Sequence, residues 1–334
     1  MNNTFKLNIR IMKMENLTKK TNMIGKIMVR FVAALLAVVL CTPLMFAAFS
    51  DKDAGTRTGQ FLKLPVGARA IGMGEAYTAI ADDANSIYYN VAGLARLEKK
   101  GAEYMFSKYV EETSYHWVAF AMPISETIGS AGIGFQYFTA GSIDETDIKA
   151  SKVGTFTPSD LAVNLSYAKV LMEIPLGLNL KIINSKIKES ATTVAVDLGA
   201  QYNKLMDGKL LLGFTAQNLG GSLKFETDSS KLPILIKLGS GYKVSDSWVA
   251  AADIVFPEDN SPTLALGTDY KYQIQEGMNL SGRLGYNSRG RKVDGFNGVT
   301  VGVGFGFQMA TLDYAWMPLG DLGSTHRISV GVKF

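Results

Sequence analysis

The chain has 334 residues, with 34 basic and 30 acidic side chains, two histidines, one cysteine and 47% apolar residues. That apolar content excludes a disordered or collagen-like chain, and 34 glycines against 9 prolines place many glycines inside regular structure. The formal charge of +4 hints at a nucleic-acid partner, but the positions of the charges remove the hint.

Residues 1–50 carry seven of the basic side chains (Lys6, Arg10, Lys13, Lys19, Lys20, Lys26, Arg30) and one acid, Glu15. Taking seven from 34 and one from 30 leaves 27 basic and 29 acidic side chains, a net of −2 over residues 51–334. Residues 31–40, FVAALLAVVL, are uncharged and apolar; Pro43 follows, then Ala48-Phe49-Ser50 before Asp51. A basic start, a short apolar run and a small-x-small site form a secretory signal peptide. The run is shorter than the roughly 20 residues of a spanning helix, so a signal anchor is the weaker reading. Thirty residues precede it, and Met12, Met14, Met23 and Met28 are alternative starts. Cys41 follows Leu40, where a lipoprotein signal would have a small residue, and reads as part of the apolar run. Removal of residues 1–50 leaves no cysteine, hence no disulfide, zinc thiolate or thiol nucleophile.

Residues 51–100 follow no strand period. Gly67, Gly72 and Gly74 bound a short segment, Asp82-Asp83 marks a polar turn or a helix N-cap, and a short helix follows through Tyr88-Tyr89. A segment of this kind ahead of the first strand is expected to fold into a barrel as a plug.

From residue 101 onward the apolar side chains alternate with period two, the strand signature. Ile328, Val330, Val332 and Phe334 oppose Ser329, Gly331 and Lys333; Val299, Val301, Val303, Phe305 and Phe307 oppose Thr300, Gly302, Gly304, Gly306 and Gln308. A soluble sandwich would turn the apolar face inward and an outer-membrane barrel would turn it toward lipid. Three features favour the barrel. The runs are as long as the roughly 9–11 residues of a tilted membrane strand. The polar face combines glycine with Lys181, Asp197, Lys237, Asp253, Asp269, Lys271, Arg283 and Asp313, which suits a crowded lumen. Aromatics (Tyr202, Tyr242, Trp248, Tyr270, Tyr272, Tyr286, Trp316) gather at strand ends, where membrane interfaces place them.

The predicted strands are 101–110, 113–124, 128–139, 159–172, 174–188, 191–204, 208–219, 231–243, 247–256, 262–273, 277–288, 296–307, 308–317 and 325–334, an even number as bacterial barrels require. Long connections (140–158, 220–230, 289–295, 318–324) alternate with short ones, matching outer loops and periplasmic turns; 111–112 and 189–190 are short outer exceptions. The expectation is an all-β fold: a 14-stranded antiparallel transmembrane barrel over 101–334, with a plug at 51–100. Phe334, closing an alternating strand, resembles the signal that the barrel-assembly machinery reads.

Two stretches carry a family resemblance. GARAIGMGEAYTAIADDANSIYYNVAGLA, with Gly72, Gly74, Asp82, Asp83, Asn90, Ala92 and Gly93, resembles the N-terminal signature of PorV/PorQ-type outer-membrane proteins, relatives of the FadL group. LDYAWMPLGDLGSTHR, with Gly320, Asp321, Gly323 and His326, resembles that family's last hairpin and gives the outer-loop motif. The chain has Asn90-Val91-Ala92-Gly93 where the family has Asn-Pro-Ala-Gly, and so lacks proline's fixed φ there. The resemblance implies a FadL-like barrel with an internal N-terminal segment. It also implies either a role in type IX secretion, with the C-terminal domains of secreted proteins as partners, or passage of a hydrophobic small molecule.

Chemistry is sparse. His116 and His326 are too few for a metal cluster. Asp321, Ser324 and His326 could be arranged as a hydrolase triad, but lie within six residues of one another, where a loop hydrogen-bond network is expected instead of a triad assembled from separate elements. Gly72-Met73-Gly74 lacks the strand–GxGxxG–helix context of a dinucleotide site, and Asp82-Asp83 lacks EF-hand spacing. Arg289, Arg291 and Lys292 form a basic cluster in an outer loop, read as solvated or as facing lipopolysaccharide phosphates. No cofactor, metal site or nucleic-acid patch is expected; the expected partners are outer-membrane lipid and the assembly machinery.

Overall fold

The computed structural model describes residues 51–109, 113–225, 228–291 and 293–334; the expected signal peptide at 1–50 and Lys292 lie outside the described residues. The helices are one-turn pieces, α1 (Ala68–Gly72) and α2 (Ser86–Tyr89). The strands are β1 (Gly101–Lys108), β2 (Ser114–Ser125), β3 (Gly129–Thr139), β4 (Ile143–Thr146), β5 (Lys152–Phe156), β6 (Ser159–Leu171), β7 (Ile174–Lys186), β8 (Ser190–Leu205), β9 (Leu210–Leu219), β10 (Ser222–Phe225), β11 (Asp228–Lys231), β12 (Leu235–Ser245), β13 (Trp248–Pro257), β14 (Thr263–Gln275), β15 (Met278–Asn287), β16 (Val299–Phe307), β17 (Ala310–Pro318) and β18 (Ser324–Lys333).

Fourteen of these close into one antiparallel barrel, β1-β18-β17-β16-β15-β14-β13-β12-β9-β8-β7-β6-β3-β2. Closure pairs β1 with β18 from Gly101↔Lys333 to Lys108↔His326. The other four strands form two hairpins, β4–β5 and β10–β11, inside the long outer connections, where sequence periodicity showed only loop. Residues 231–234, expected to begin a barrel strand, instead finish β11 and link it through Pro233 to β12. Proline cannot donate to a ladder, which ends the pairing there.

The apolar face points outward. Val301, Val303, Phe305 and Phe307 on β16, and Ile328, Val330 and Val332 on β18, are exposed on the outer wall. In water such a surface would be an aggregation hazard; against hydrocarbon it anchors the barrel. Trp248, Tyr242, Tyr270, Tyr272 and Tyr286 are exposed, whereas Tyr202 is buried. Trp316 is half-buried, stacked on Phe296 with ring centroids 6.0 Å apart.

The interior is filled by the N-terminal segment. Val66, Ala68, Ile71, Met73, Tyr77, Ile80, Ile87, Tyr89, Val91 and Leu94 are buried within the barrel. The chain enters from the outer end, where Arg57 pairs with Glu258 at 3.0 Å, Lys63 with Asp259 at 2.8 Å, and the Ser230 hydroxyl of β11 donates to the Thr56 carbonyl at 3.1 Å. It leaves at the periplasmic end, where Lys100 and Phe334 exchange backbone hydrogen bonds of 3.0 and 2.9 Å.

Glycine makes this filling possible. A Cβ on Gly267 would lie 2.1 Å from the Met73 carbonyl oxygen, and one on Gly285 would lie 2.0 Å from the Gly74 nitrogen. On β16 the Gly302 Cα faces the Gly72 Cα of α1, each 2.9–3.0 Å from the other's added Cβ. Gly177, Gly199, Gly213 and Gly241, on other inner-wall strands, likewise meet Ala92, Asn90, Thr78 and Ile80. At Gly177, Gly213, Gly267, Gly285 and Gly302 main chain rests on main chain; at Gly199 and Gly241 the wall meets the Asn90 and Ile80 side chains. Overpacking costs typically about 1–3 kcal/mol even where side chains can shift, and backbone shifts less readily.

Gly285→Val is therefore expected to unseat the plug and lower the thermal transition of the detergent-solubilised barrel, read as heat-modifiable migration on gels. Gly282→Val, on the outer face with no atom within 4 Å of its added Cβ, is the control and should migrate as the parent does.

Candidate functional site

Two features of the lumen carry charge and space: an ion-pair chain on the periplasmic side of the plug and a vestibule on the outer side.

The ion-pair chain starts on β17 and ends in the plug. Asp313 accepts from Arg283 at 2.5 Å, Arg283 also meets Asp269 at 3.2 Å, and Asp269 meets Arg69 of α1 at 3.2 Å. Arg69 in turn holds Asp82 at 2.7 Å and Asp83 at 3.3 Å. Signs alternate along the chain, so each buried charge has an opposite neighbour, as low-dielectric surroundings demand. Tyr77 donates its hydroxyl to Asp83 at 2.7 Å, and burial pushes its pKa upward, keeping it a donor. Burial would also raise Asp82, but Arg69 above all, then Lys333 and Arg96, outweighs it and holds that carboxyl below the usual 3.8. A polar cavity of about 240 Å³ borders this chain, with Lys271 exposed at its mouth.

The expected turn at Asp82-Asp83 forms, but neither aspartate caps a helix. The residue before α2 is Asn85, which makes no side-chain cap bond; Asp83 instead accepts from the Asn85 backbone N–H at 3.0 Å. Arg69 sits three residues before Gly72 and draws both carboxylates toward itself. Asn85 becomes a junction: its amide donates to Glu103 at 2.6 Å and its oxygen accepts from Trp117 at 2.9 Å. Asn90 donates to the Thr78 and Ala200 carbonyls at 2.8 and 3.0 Å and caps the turn Val91–Arg96 by accepting from Ala92 N–H at 3.2 Å. Val91, standing where the family has proline, is buried against Gly177 and Gly199. A Cβ on Gly93 would strike the Ala81 carbonyl oxygen at 2.3 Å.

The remaining lumen charges are also placed. Lys181 and Asp197 form a buried pair at 2.9 Å, extended through Asn179 and Asn218. The Asn218 backbone N–H reaches Asp197 at 2.8 Å because a bulge in β9 turns Gln217 and Asn218 inward together. Asp253 accepts the backbone N–H groups of Tyr77 and Thr78 at 3.0 and 2.9 Å. Lys237 stands over the rings of Tyr88 and Tyr89 at 5.3 and 5.6 Å. Arg327, fully buried on β18, belongs to the same inward set but was missed because it follows directly on the His326 motif.

His326 does not join Asp321 and Ser324. It is the third residue of β18, where alternation turns it to the outer wall; its Nδ1 meets the Tyr314 hydroxyl at 2.6 Å. The hydrogen bonds of this loop run through the backbone: Asp321 N–H donates to Asp294 O at 2.9 Å and Leu319 N–H to Gly323 O at 2.8 Å, and Gly320, at φ 65°, packs on the Asp294 carbonyl. His116 makes the same outward pair with Tyr104 at 3.0 Å. Among the described residues no group of three His, Cys, Asp or Glu side chains could hold a metal.

The vestibule has two lobes that share Lys63, Glu75, Asn287, Arg289 and Val293. One lobe, about 410 Å³, is walled mainly by Leu64, Tyr109, Met317, Pro318, Leu319 and Leu322. The other, about 290 Å³, receives Lys237, Tyr88 and Arg291. Arg289 bridges them, bonded to Glu75 of the plug and to the Lys63 carbonyl at 3.3 Å. The sequence placed Arg289 and Arg291 in an outer loop, solvated or facing lipopolysaccharide phosphates; the structure ties Arg289 to the plug instead.

A closed 14-strand barrel with a chain segment seated in its lumen is the architecture of FadL-type outer-membrane proteins, a class whose barrels are non-enzymatic. The Pseudomonas putida toluene transporter TodX superposes with a TM-score of 0.53 at 12% identity, covering 80% of this chain and 97% of TodX. A Pseudomonas aeruginosa FadL homologue gives 0.53 at 12%, covering 81% and 98%, and the monoaromatic hydrocarbon channel CymD gives 0.51 at 12%, covering 80% and 96%. At these identities the likeness is one of fold. The sequence narrows it: the chain belongs to the PorV family, whose model, described as type IX secretion system protein PorV, matches residues 47–252. A search of curated proteins finds no match.

Removing one member of a buried ion chain leaves its partner uncompensated, at about 3–5 kcal/mol. Arg283→Met should therefore lower barrel stability by that order in denaturant unfolding, and Asp313→Asn added to it should cost little more, since both act through one interaction.

The depressed Asp82 carboxyl sets a pH dependence. Its contribution is present above the unfolded carboxylate value, near about 3.9, and is lost as pH falls through its lower folded value. Fluorescence of the lumenal Trp117, bonded to Asn85, should stay constant from pH 7 to 5 and change only below about 4; Asp82→Asn should remove part of that transition.

Proposed function

We propose that this protein works in the bacterial outer membrane as a non-enzymatic component of type IX secretion, engaging exported proteins at its outer face. The match to the PorV family over residues 47–252 carries this reading. The architecture supports it: the plug, seated on glycine, blocks the lumen below the vestibule, and the outer face is open to large partners. That face holds the hairpins β4–β5 and β10–β11. The first is braced by Lys152–Asp144 at 2.6 Å and Lys188–Glu145 at 2.5 Å, and beyond it Ile148 stands fully exposed. A large apolar side chain exposed in this way gains by burial against a partner's surface. On this reading Phe334, exposed at the periplasmic end of the closing seam, serves assembly of the barrel.

A second reading, passage of hydrophobic compounds, is favoured by the apolar lobe above the plug and by the likeness of fold to TodX.

The two separate in one pair of measurements. Protein in neutral detergent should capture the C-terminal domain of a type IX-exported protein, and replacing residues 143–156 by a short turn should weaken capture by about tenfold or more, one buried anchor being worth at least 1.4 kcal/mol. No capture by the parent protein, together with saturable binding of toluene, would reverse the order of the readings.

A further inference from the structure

The cationic lobe of the vestibule holds a charge that no described carboxylate pairs with. Lys237 is 7% exposed, yet among the described residues its ammonium has no carboxylate within ion-pairing distance and no hydrogen-bond acceptor; it meets only the Tyr88 and Tyr89 rings. Asp253, one strand away and facing the same lumen, spends one carboxylate oxygen on the Tyr77 and Thr78 N–H groups. Its other oxygen is buried without a partner, beyond ion-pairing distance of Lys237. A buried lysine ordinarily survives only when paired.

The other charges around the lobe cancel. Glu75 neutralises Arg289, and Asp259 neutralises Lys63. That leaves Lys237 at the base and Arg291 at the rim, two cations facing one cavity of about 290 Å³ that opens outward. The adjoining lobe of about 410 Å³ is apolar. Cavities of this size, apolar with a few placed polar groups, are typical of small-ligand sites.

We propose that Lys237 and Arg291 form a binding site for a phosphate monoester, whose two negative charges match the two unanswered cations, with the apolar part of the ligand in the neighbouring lobe. An ammonium serves such a group as a point charge and a guanidinium as a fork. The phosphate can come from a free phosphorylated compound or from a phosphorylated lipid headgroup of the outer leaflet. The site needs no exported protein, so its failure and failure of the secretion reading are distinguishable.

The test is calorimetric titration of the full chain in neutral detergent with inorganic phosphate, octyl phosphate and octanoate. Octyl phosphate should bind about tenfold or more tighter than either of the others, since it alone supplies both the charge and the chain. Lys237→Met should weaken it by a similar factor, and Lys237→Arg should restore most of the loss. Delivery as a phosphorylated lipid A headgroup in nanodiscs, competing with octyl phosphate, identifies the lipid source; absence of competition identifies the free compound, and either result stands with the site. Lys237→Met removes a buried, unpaired charge, so its melting temperature should not fall. Octyl phosphate binding no tighter than octanoate, or binding indifferent to Lys237→Met, overturns the proposal. So does a fall in melting temperature without change in binding, which would make Lys237 a structural partner of Asp253.

Discussion

The structure depends on main chain meeting main chain inside a barrel. Fourteen tilted strands enclose a lumen that must be filled, and here the filler is a folded segment of the same polypeptide. Its helical turns and bends carry backbone N–H and C=O groups that need partners away from water. The wall provides them: Asp253 receives two plug N–H groups, Gln201 donates to the Thr78 and Ala81 carbonyls, and Thr300 accepts from Gly74. Gly267, Gly285 and Gly302 let the two backbones approach where α1 and its exit meet the wall. The cost is entropic, since glycine loses more freedom on folding than any other residue. Closure of the barrel and satisfaction of the plug offset it together.

The charges inside follow from the same constraint. A lumen lined with side chains and closed by a plug excludes water, so an isolated charge there is expensive. The Asp313–Arg283–Asp269–Arg69–Asp82 chain answers by alternating sign from wall to plug, and it ties three strands to α1. Lys181 and Asp197 repeat the arrangement on the opposite wall. Lys237 departs from it, and the departure stands at the outer vestibule, where the protein faces its surroundings.

The vestibule is thereby left at the outer end. The periplasmic half of the lumen is occupied by plug and ion pairs, whereas the outer half holds the two-lobed vestibule beneath the loops and hairpins. The N-terminal stretch at 51–63 runs to that same end, held by Glu258, Asp259 and Thr56's bond to Ser230. Plug, vestibule and outer loops adjoin one another at this end.

Much of this was legible in the order of residues. Period-two alternation gave the fourteen barrel strands and their outward apolar face, because lipid on one side and a polar lumen on the other impose opposite requirements on successive residues. The inward set that includes Lys181, Asp269 and Arg283 came from the same parity. Partnership was not legible: Arg69 and Asp269 are 200 residues apart, and only the closed register brings them to 3.2 Å. Nor could alternation show that residues 143–156 and 222–231 pair as hairpins, since short polar strands carry little periodic signal. The N-terminal path from the outer end inward, and the vestibule it helps to wall, are likewise properties of the closed barrel. A local pattern determines which face a side chain takes; which side chains then meet is decided by closure, which sets distant strands side by side at fixed register.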